Sequence, residues 1–559
     1  MKKLPIGRDN FKDIIEENFY YVDKTKMIEE LLERGAYVTL FPRPRRFGKS
    51  LMISTIEEFF NIEKKQTNKN LFKGLYIDKS KYKKEQGKYP VIKINFKEVQ
   101  ATTWEEMKEK VIFLIQRLFV EHDKVREVLK PIEKQWYNQI MEGKANIAQY
   151  ENSFKILSYA MYQYYKERVI LLIDEYDVPI QHGYLNGYYS QIINFIKNLL
   201  GNALKTNDNI KFAVMTGVLR VSKESIFSDL NNVKVYSILD NIYDEYFGFS
   251  SEETRTLLKE FNMELMPEVK NMYDGYLYGN KEIYNPWSII NYANDKKLLP
   301  YWVNTGGNEL IKKIINQTEE PIKIEIEKLI EGKKIQCDYN EKITFLDLNE
   351  KNSINNLLNF LLVSGYLTIT KNSNLEKNQI EVKIPNNEVR SVYIQIIKSW
   401  FEEQSPTIDT TLRKLKINLL ENNIEAVEEN LNQILQHISF TDTKENFYHG
   451  ILLRILGFKD SWSVFSNRES GEGYSDICVE IDEEETGIII EIKYCDDGNL
   501  DAGCQEVLEQ IEKKQYNEQL LEDGMEKILK YGIACYKKRC RVRMADQKRT
   551  GCPSANGAY

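Results

Sequence analysis

Histidine and paired cysteine are what this 559-residue sequence has least of. It holds four histidines and seven cysteines (337, 478, 495, 504, 535, 540 and 552), and no two cysteines stand in C-x-x-C spacing. A zinc site of closely spaced ligands is therefore not expected. An odd, scattered cysteine set in a large chain predicts a reducing compartment, the cytoplasm. No apolar run approaches the ~18 residues of a membrane-spanning helix. Met1-Lys2-Lys3-Leu4-Pro5 is not followed by an apolar signal core, so no transmembrane segment and no membrane partner is predicted. A strong charge excess is also absent. The net charge of −7 neither advertises nor excludes a nucleic-acid partner, because a local patch decides that. One such patch exists: Lys537, Lys538, Arg539, Arg541, Arg543, Lys548 and Arg549 stand against a single acid, Asp546. A nucleic-acid footprint and a solvated C-terminal tail both fit it.

What is present is an ordinary folded composition, 42% hydrophobic and 29% charged, in a chain too long for one core. The first ~250 residues alternate strand and helix patterns, the mark of a parallel sheet covered by helices. Strands are expected at Tyr37–Phe41, Val91–Phe96, Val169–Ile173, Phe212–Met215 and Lys234–Ile238, with helices such as Ser50–Phe60 and Trp104–His122 between them. Ser250 and Glu253 form a capping-box signature that opens a helical, aromatic stretch to about Asn304. Residues 305–440 read as mostly helical. After a boundary at Ile434–Thr443, a helix (Glu445–Leu456), two strands (Tyr474–Ile481 and Gly487–Tyr494), a helix (Gln505–Leu521) and a strand (Tyr531–Tyr536) are expected. From Arg541 the sequence reads as polar and patternless, and Gly551–Tyr559 as disordered.

Two places carry chemistry. The strand ending at Phe41 runs into Pro42-Arg43-Pro44-Arg45-Arg46-Phe47-Gly48-Lys49-Ser50 and then a helix, the setting of a phosphate loop. Backbone N–H groups through Arg45, Arg46, Phe47 and Gly48 would cradle phosphates. Lys49 would reach the β- and γ-phosphates, and the Ser50 hydroxyl would ligate Mg²⁺. The usual pattern has glycine where Arg43 stands; a basic residue there could also bend around phosphate. Asp174 ends a buried strand and could hold the Mg²⁺ shell, and Glu175 after it is placed to polarise a water. Thr216 ends a third strand where it could touch that water or the γ-phosphate. Arg220 follows, either as a neutraliser of transition-state charge or as an ordinary surface arginine. The second place is Ile488-Ile489-Ile490-Glu491-Ile492-Lys493. Strand alternation puts Glu491 and Lys493 on one face, and a hairpin brings Asp476 of the preceding strand beside them. Two such carboxylates suit a hard cation such as Mg²⁺, with the lysine acting on phosphate. E-x-K on strands is common, so the spacing by itself is a weak sign of a nuclease.

Several stretches occur together and in order: Leu4-Pro5-Ile6-Gly7, Tyr20-Tyr21-Val22-Asp23-Lys24-Thr25, the loop Arg43–Ser50, Asp174-Glu175-Tyr176-Asp177, Thr216-Gly217 through Arg220 to Phe227, and Phe247-Gly248-Phe249-Ser250. On these the chain resembles the bacterial AAA-ATPase-like family found fused to a PD-(D/E)XK nuclease-like domain, from about Leu4 to Val542. The resemblance implies an α/β architecture: a P-loop NTPase parallel sheet (1–248), a helical lid (249–345) and a helical linker (346–440). A smaller α/β PD-(D/E)XK-like domain (441–542) and a disordered tail (543–559) would follow. It implies an ATP-binding hydrolase that uses ATP and Mg²⁺, with DNA or RNA as the partner of the second domain. It also makes Arg43 regular, since that family's loop reads R-P-R-R-F-G-K. In the second domain it adds Glu445 as an extra acid and Gln510 as a polar residue of the helix after the hairpin. Tyr474 departs from it, standing where a basic residue is usual. A nucleotide-dependent switch whose C-terminal fold binds without cutting is the competing reading. The oligomeric state stays open.

Overall fold

The computed structural model describes residues 2–220, 232–303, 308–316, 320–330, 332–340, 342–349, 353–374, 377–404, 406–436, 462–470 and 473–545, with single positions at 448, 452 and 456. The expected helix over Glu445–Leu456, the accessory Glu445 itself, the stretch Val221–Phe227, and Asp546, Lys548 and Arg549 with the rest of the tail fall outside those residues or nearly so. The chain divides into two compact units, Met1–Ile322 with Gly332–Val392, and Lys323–Glu331 with Tyr393–Tyr559.

The first unit is built on five parallel strands: β1 (Val38–Pro42), β2 (Val91–Asn95), β3 (Val169–Asp174), β4 (Ile210–Gly217) and β5 (Val233–Val235), in the order β2-β3-β4-β1-β5. Every residue of β1 and β3 is buried. That is why their sequences run apolar without alternation, as strands covered on both faces do. Helices such as Lys49–Phe60 and Trp104–Glu121 supply the crossovers that parallel pairing requires. β4 runs on past the expected Met215, so Thr216 lies inside the sheet. β5 stops early because the Asp240 carboxylate accepts the Ser237 N–H at 2.6 Å and turns the chain.

The region after Phe249 is less helical than its sequence suggests. The capping box is present: the Ser250 N–H donates to Glu253 Oε2 at 2.8 Å, and the Glu253 N–H donates to Ser250 Oγ at 3.2 Å. The aromatic stretch beyond it forms a small antiparallel sheet, β6 (Phe249–Ser250), β7 (Tyr276–Tyr278) and β8 (Lys281–Tyr284), ordered β6-β8-β7. Gly275 separates helix from sheet. Its φ of 102° suits glycine alone, and a Cβ there would stand 1.9 Å from the Pro385 carbonyl oxygen. A second small sheet, β9 (Ile335–Asp338), β10 (Thr368–Ile369) and β11 (Gln379–Lys383), interrupts the helices of residues 305–440.

The second unit holds the sheet β12-β13-β14-β15-β16, from Trp462–Ser470, Gly473–Ile481, Thr486–Tyr494, Lys527–Tyr536 and Arg539–Met544. Only the β14–β15 pair is parallel, and the helix Leu500–Lys513 makes that crossover. The expected helix over Gln505–Leu521 is two helices, parted near Gln515 at φ 53°. β16 corrects the reading of a patternless chain from Arg541. Cys540 and Val542 face inward while Arg539, Arg541 and Arg543 point away from the core, the period-2 pattern of an edge strand. Arg541 and Arg543 also spend their charge inside the unit, on Glu428 at 2.9 Å and Asp501 at 2.7 Å. No helix among the described residues is long and apolar enough to cross a membrane.

Candidate functional site

The phosphate-loop segment leaves the centre of the sheet. β1 ends with Phe41 paired to Thr216 and Pro42 paired to Gly217 of β4. The chain then takes left-handed turns at Arg46 (φ 67°) and Gly48 (φ 85°), and the helix starts at Lys49. Alternating turns of this kind converge backbone N–H groups on an anion, and the free N–H groups of a helix start do the same.

Arg43 is not part of that cradle, which corrects the reading of it as a residue bent around phosphate. It is 0% exposed. Its guanidinium donates to the carbonyls of Pro42 (2.9 Å), Tyr236 (2.6 Å) and Tyr243 (3.3 Å), beside the rings of Phe247 and Tyr278. Burial brings its pKa down to about 10, so it stays charged and pins the loop base to the chain after β5. Phe47 is also a core residue, wedged against Tyr276 and Tyr278, so only its backbone can serve a ligand.

The Lys49 ammonium spans the loop, donating to the Arg43 and Pro44 carbonyls at 3.0 Å each. Burial pulls it below the usual lysine range, opposed by Glu175, Asp177 and Asp174. Arg45 donates to Gln181 Oε1 at 2.9 Å, and the Arg46 guanidinium lies 4.4 Å from the Trp287 ring centre. A cavity of about 520 Å³ opens here, walled in part by Arg45, Arg46, Gly48, Lys49, Ser50 and Glu175.

The acids meet the loop through sheet register. Asn95 pairs with Asp174 across β2 and β3, and Ile173 pairs with Met215 across β3 and β4. Asp174 and Thr216 therefore come side by side. The Thr216 hydroxyl donates to Asp174 Oδ1, and the Asn95 amide donates to Oδ2 at 2.8 Å. Asp174 and Thr216 lie behind the cavity wall; Glu175 is on it. Glu175 sits just past the strand at φ 52°, a strained conformation for a non-glycine residue, and burial raises its carboxyl pKa against the pull of Lys49. Arg220 lies beyond the end of β4 and does not line the cavity.

Two contributors went unread in the sequence. Asn95 ends a strand, β2, whose other polar residue, Lys93, is exposed. Asp177 accepts the Val218 and Leu219 N–H groups at 2.8 and 2.9 Å, while the Tyr176 hydroxyl donates to the Leu219 carbonyl at 2.6 Å. The Asp-Glu-Tyr-Asp string thus clamps the turn that follows Thr216.

In the second unit the hairpin β13–β14 brings two acids together. The Asp476 N–H donates to Glu491 Oε1 at 2.8 Å, and the Ile492 N–H donates to Asp476 Oδ2 at 2.9 Å. Glu491 is 2% exposed, and Gln510 donates to its other oxygen at 3.1 Å. Lys493 pairs with Glu506, an acid one turn before Gln510 that the sequence did not flag. Among the described residues no group of three or more His, Cys, Asp and Glu is arranged to hold a metal. Two carboxylates still fit Mg²⁺, which commonly keeps several waters and takes one or two carboxylates from the protein.

Comparison with known proteins agrees with this division. Residues 5–227 match the family described as "Predicted AAA-ATPase", and residues 443–544 match the "PD-(D/E)XK nuclease superfamily". A protein of Azotobacter chroococcum mcd 1, described as "Uncharacterized protein in vnfD 5'region", is 30% identical over 312 residues, which is 55% of this chain and 54% of that protein. The chain therefore spans about half the length of this relative. By fold and family match, the chain carries an AAA-ATPase-like domain over residues 5–227 and a PD-(D/E)XK nuclease-superfamily domain over residues 443–544.

Proposed function

We propose that the protein binds and hydrolyses ATP in its first unit and acts on nucleic acid, DNA or RNA, through a metal-dependent site in its second, as a cytoplasmic enzyme. The observation that carries the ATP reading is the meeting of Lys49, Ser50 and Glu175 around one cavity at the carboxyl ends of parallel strands, where such sheets take their ligands. Lys49 would exchange two carbonyls for phosphate oxygens, which compensate its buried charge better. Ser50 and Asp174 would hold Mg²⁺, whose charge would neutralise phosphate oxygens. Glu175, with its affinity for a proton raised by burial, would take the proton of the attacking water. Thr216 orients Asp174 through its hydroxyl, and Arg220 would act only after moving toward the cavity.

For the second unit, Asp476 and Glu491 would hold Mg²⁺, whose role would be to activate water, while Lys493 would face the phosphate. One observation favours the competing reading, a switch that binds without cutting: the Lys493 ammonium is engaged by Glu506. A nuclease assay on plasmid, linear DNA and RNA, with Mg²⁺ and with or without ATP, separates the two. Asp476→Ala is expected to abolish cleavage and leave ATP hydrolysis intact. If the wild type cuts none of the substrates under any condition, the switch takes the place of the nuclease.

A further inference from the structure

Strand register puts Lys493 and the arginines of the edge strand on one face of the second unit's sheet. Glu491 pairs with Gly532 and Lys493 with Ala534 across β14 and β15. Gly532 pairs in turn with Arg543, and Ala534 with Arg541, across β15 and β16. Partners in register share a face, so Lys493 stands in one row with Arg541 and Glu491 in the next with Arg543. The middle residue of each row is small, and the helix Leu500–Lys513 lies over it. A Cβ on Gly532 would stand 2.8 Å from Val507 and 2.9 Å from the Cys504 carbonyl oxygen, and one on Gly503 would stand 3.0 Å from Ala534. Lys493 therefore flanks the helix on one side, and the two arginines flank it on the other.

The helix presents an acid to each flank. Glu506 pairs with the Lys493 ammonium, and Asp501 takes Arg543 at 2.7 Å and Arg541 at 3.6 Å. The side chains of Glu506 and Asp501 are 66% and 62% exposed. Ion pairs this open to water hold weakly and yield to a better anion. A nucleic-acid phosphate is one, because its binding also releases condensed counterions. We propose that a nucleic-acid strand crosses the start of this helix, its phosphates taking Lys493 on one side and Arg543 and Arg541 on the other. Glu506 and Asp501 hold those places beforehand, as a competing anion built into the fold. The inference rests on the nucleic-acid reading of the second unit and adds the track of the strand and the device that screens it.

The test titrates the full chain into fluorescently labelled DNA and RNA oligonucleotides and follows anisotropy, with Ca²⁺ in place of Mg²⁺ to slow cutting. Glu506→Gln and Asp501→Asn should each bind about threefold to fivefold more tightly than the wild type, and the double variant about tenfold more tightly. Glu509→Gln removes the same charge from the same helix at a residue that faces Gln505, and should change affinity less than about twofold. The gain from Asp501→Asn should shrink below about twofold once Arg543 is replaced by glutamine. A gain on one polymer alone satisfies the proposal and identifies the substrate. Wild-type binding with no gain in either variant overturns the screen and leaves the nucleic-acid reading standing. So does an equal gain from Glu509→Gln, which would report net charge alone, or a gain from Asp501→Asn that survives Arg543→Gln. If neither the wild type nor any variant binds either polymer, the nucleic-acid reading falls and the inference with it.

Discussion

Glu388 gives the sharpest thermodynamic test of the first unit. It is 1% exposed, its Oε1 accepts the Trp302 N–H at 2.8 Å, and its Oε2 accepts the Ser288 hydroxyl at 2.7 Å. No cation balances it in this set of contacts. Burial therefore outweighs the hydrogen bonds and raises its pKa from 4.5 to about 7. A carboxyl whose folded pKa is raised binds its proton more tightly in the folded state. Its contribution is complete below the unfolded value and is lost as pH climbs through the folded one. Between pH 4.5 and 7 the difference corresponds to about 3 kcal/mol, at ~1.4 kcal/mol for each pH unit. Glu388→Gln mimics the protonated form: its amide oxygen accepts from Trp302 and its NH₂ donates to the Ser288 oxygen. Urea unfolding followed by tryptophan fluorescence from pH 4.5 to 8 should show wild-type stability falling relative to the variant. The two should be similar at pH 4.5, and the variant ahead by about 3 kcal/mol at pH 8. Parallel curves across that range would refute the reasoning.

Lys49→Ala should abolish ATP binding or hydrolysis, read by nucleotide titration and phosphate release; hydrolysis at the wild-type rate would remove the phosphate-loop assignment. Glu175→Gln should retain ATP without turning it over, while Asp174→Asn should weaken Mg²⁺-dependent binding and also disturb Thr216 and Asn95; equal effects on binding would mean their roles are swapped or misplaced. Arg43→Ala should lower the unfolding free energy by about 3 kcal/mol or more, because three carbonyls lose a charged donor. A loss of ATP affinity at undiminished stability would instead return Arg43 to the phosphate site.

The sequence displayed the large parallel sheet well because β1 and β3 are buried on both faces, and such strands can carry little but apolar residues. The polar loop that follows β1 and the acids Asp174 and Glu175 at the end of β3 were legible for the same reason: polarity that begins abruptly after a buried run is conspicuous. Short antiparallel strands were not. β6 and β10 are two residues each, too short for any period, and the alternation in Gln379–Lys383 was overlooked inside a helical stretch. In β16 the two inward residues are a cysteine and a valine among arginines, so composition masked a strand. The Lys493–Glu506 pair was hidden for another reason. It depends on how the helix Leu500–Lys513 lies across β14, and the expected helix began too late to show which face Glu506 presents.

The position of β4 has a dimensional consequence. The loop strand and the acid strand are not neighbours, for β4 lies between them. Adjacent strands stand about 4.8 Å apart, so the ends of β1 and β3 are held roughly 10 Å from each other by backbone hydrogen bonds alone. On the proposed ATP reading, a terminal phosphate, its cation and a water would share that gap. Its width is thus a property of the sheet, indifferent to rotamer changes in Lys49 or Glu175, and substitutions around the cavity can alter what grips the ligand without altering the distance across which it is gripped.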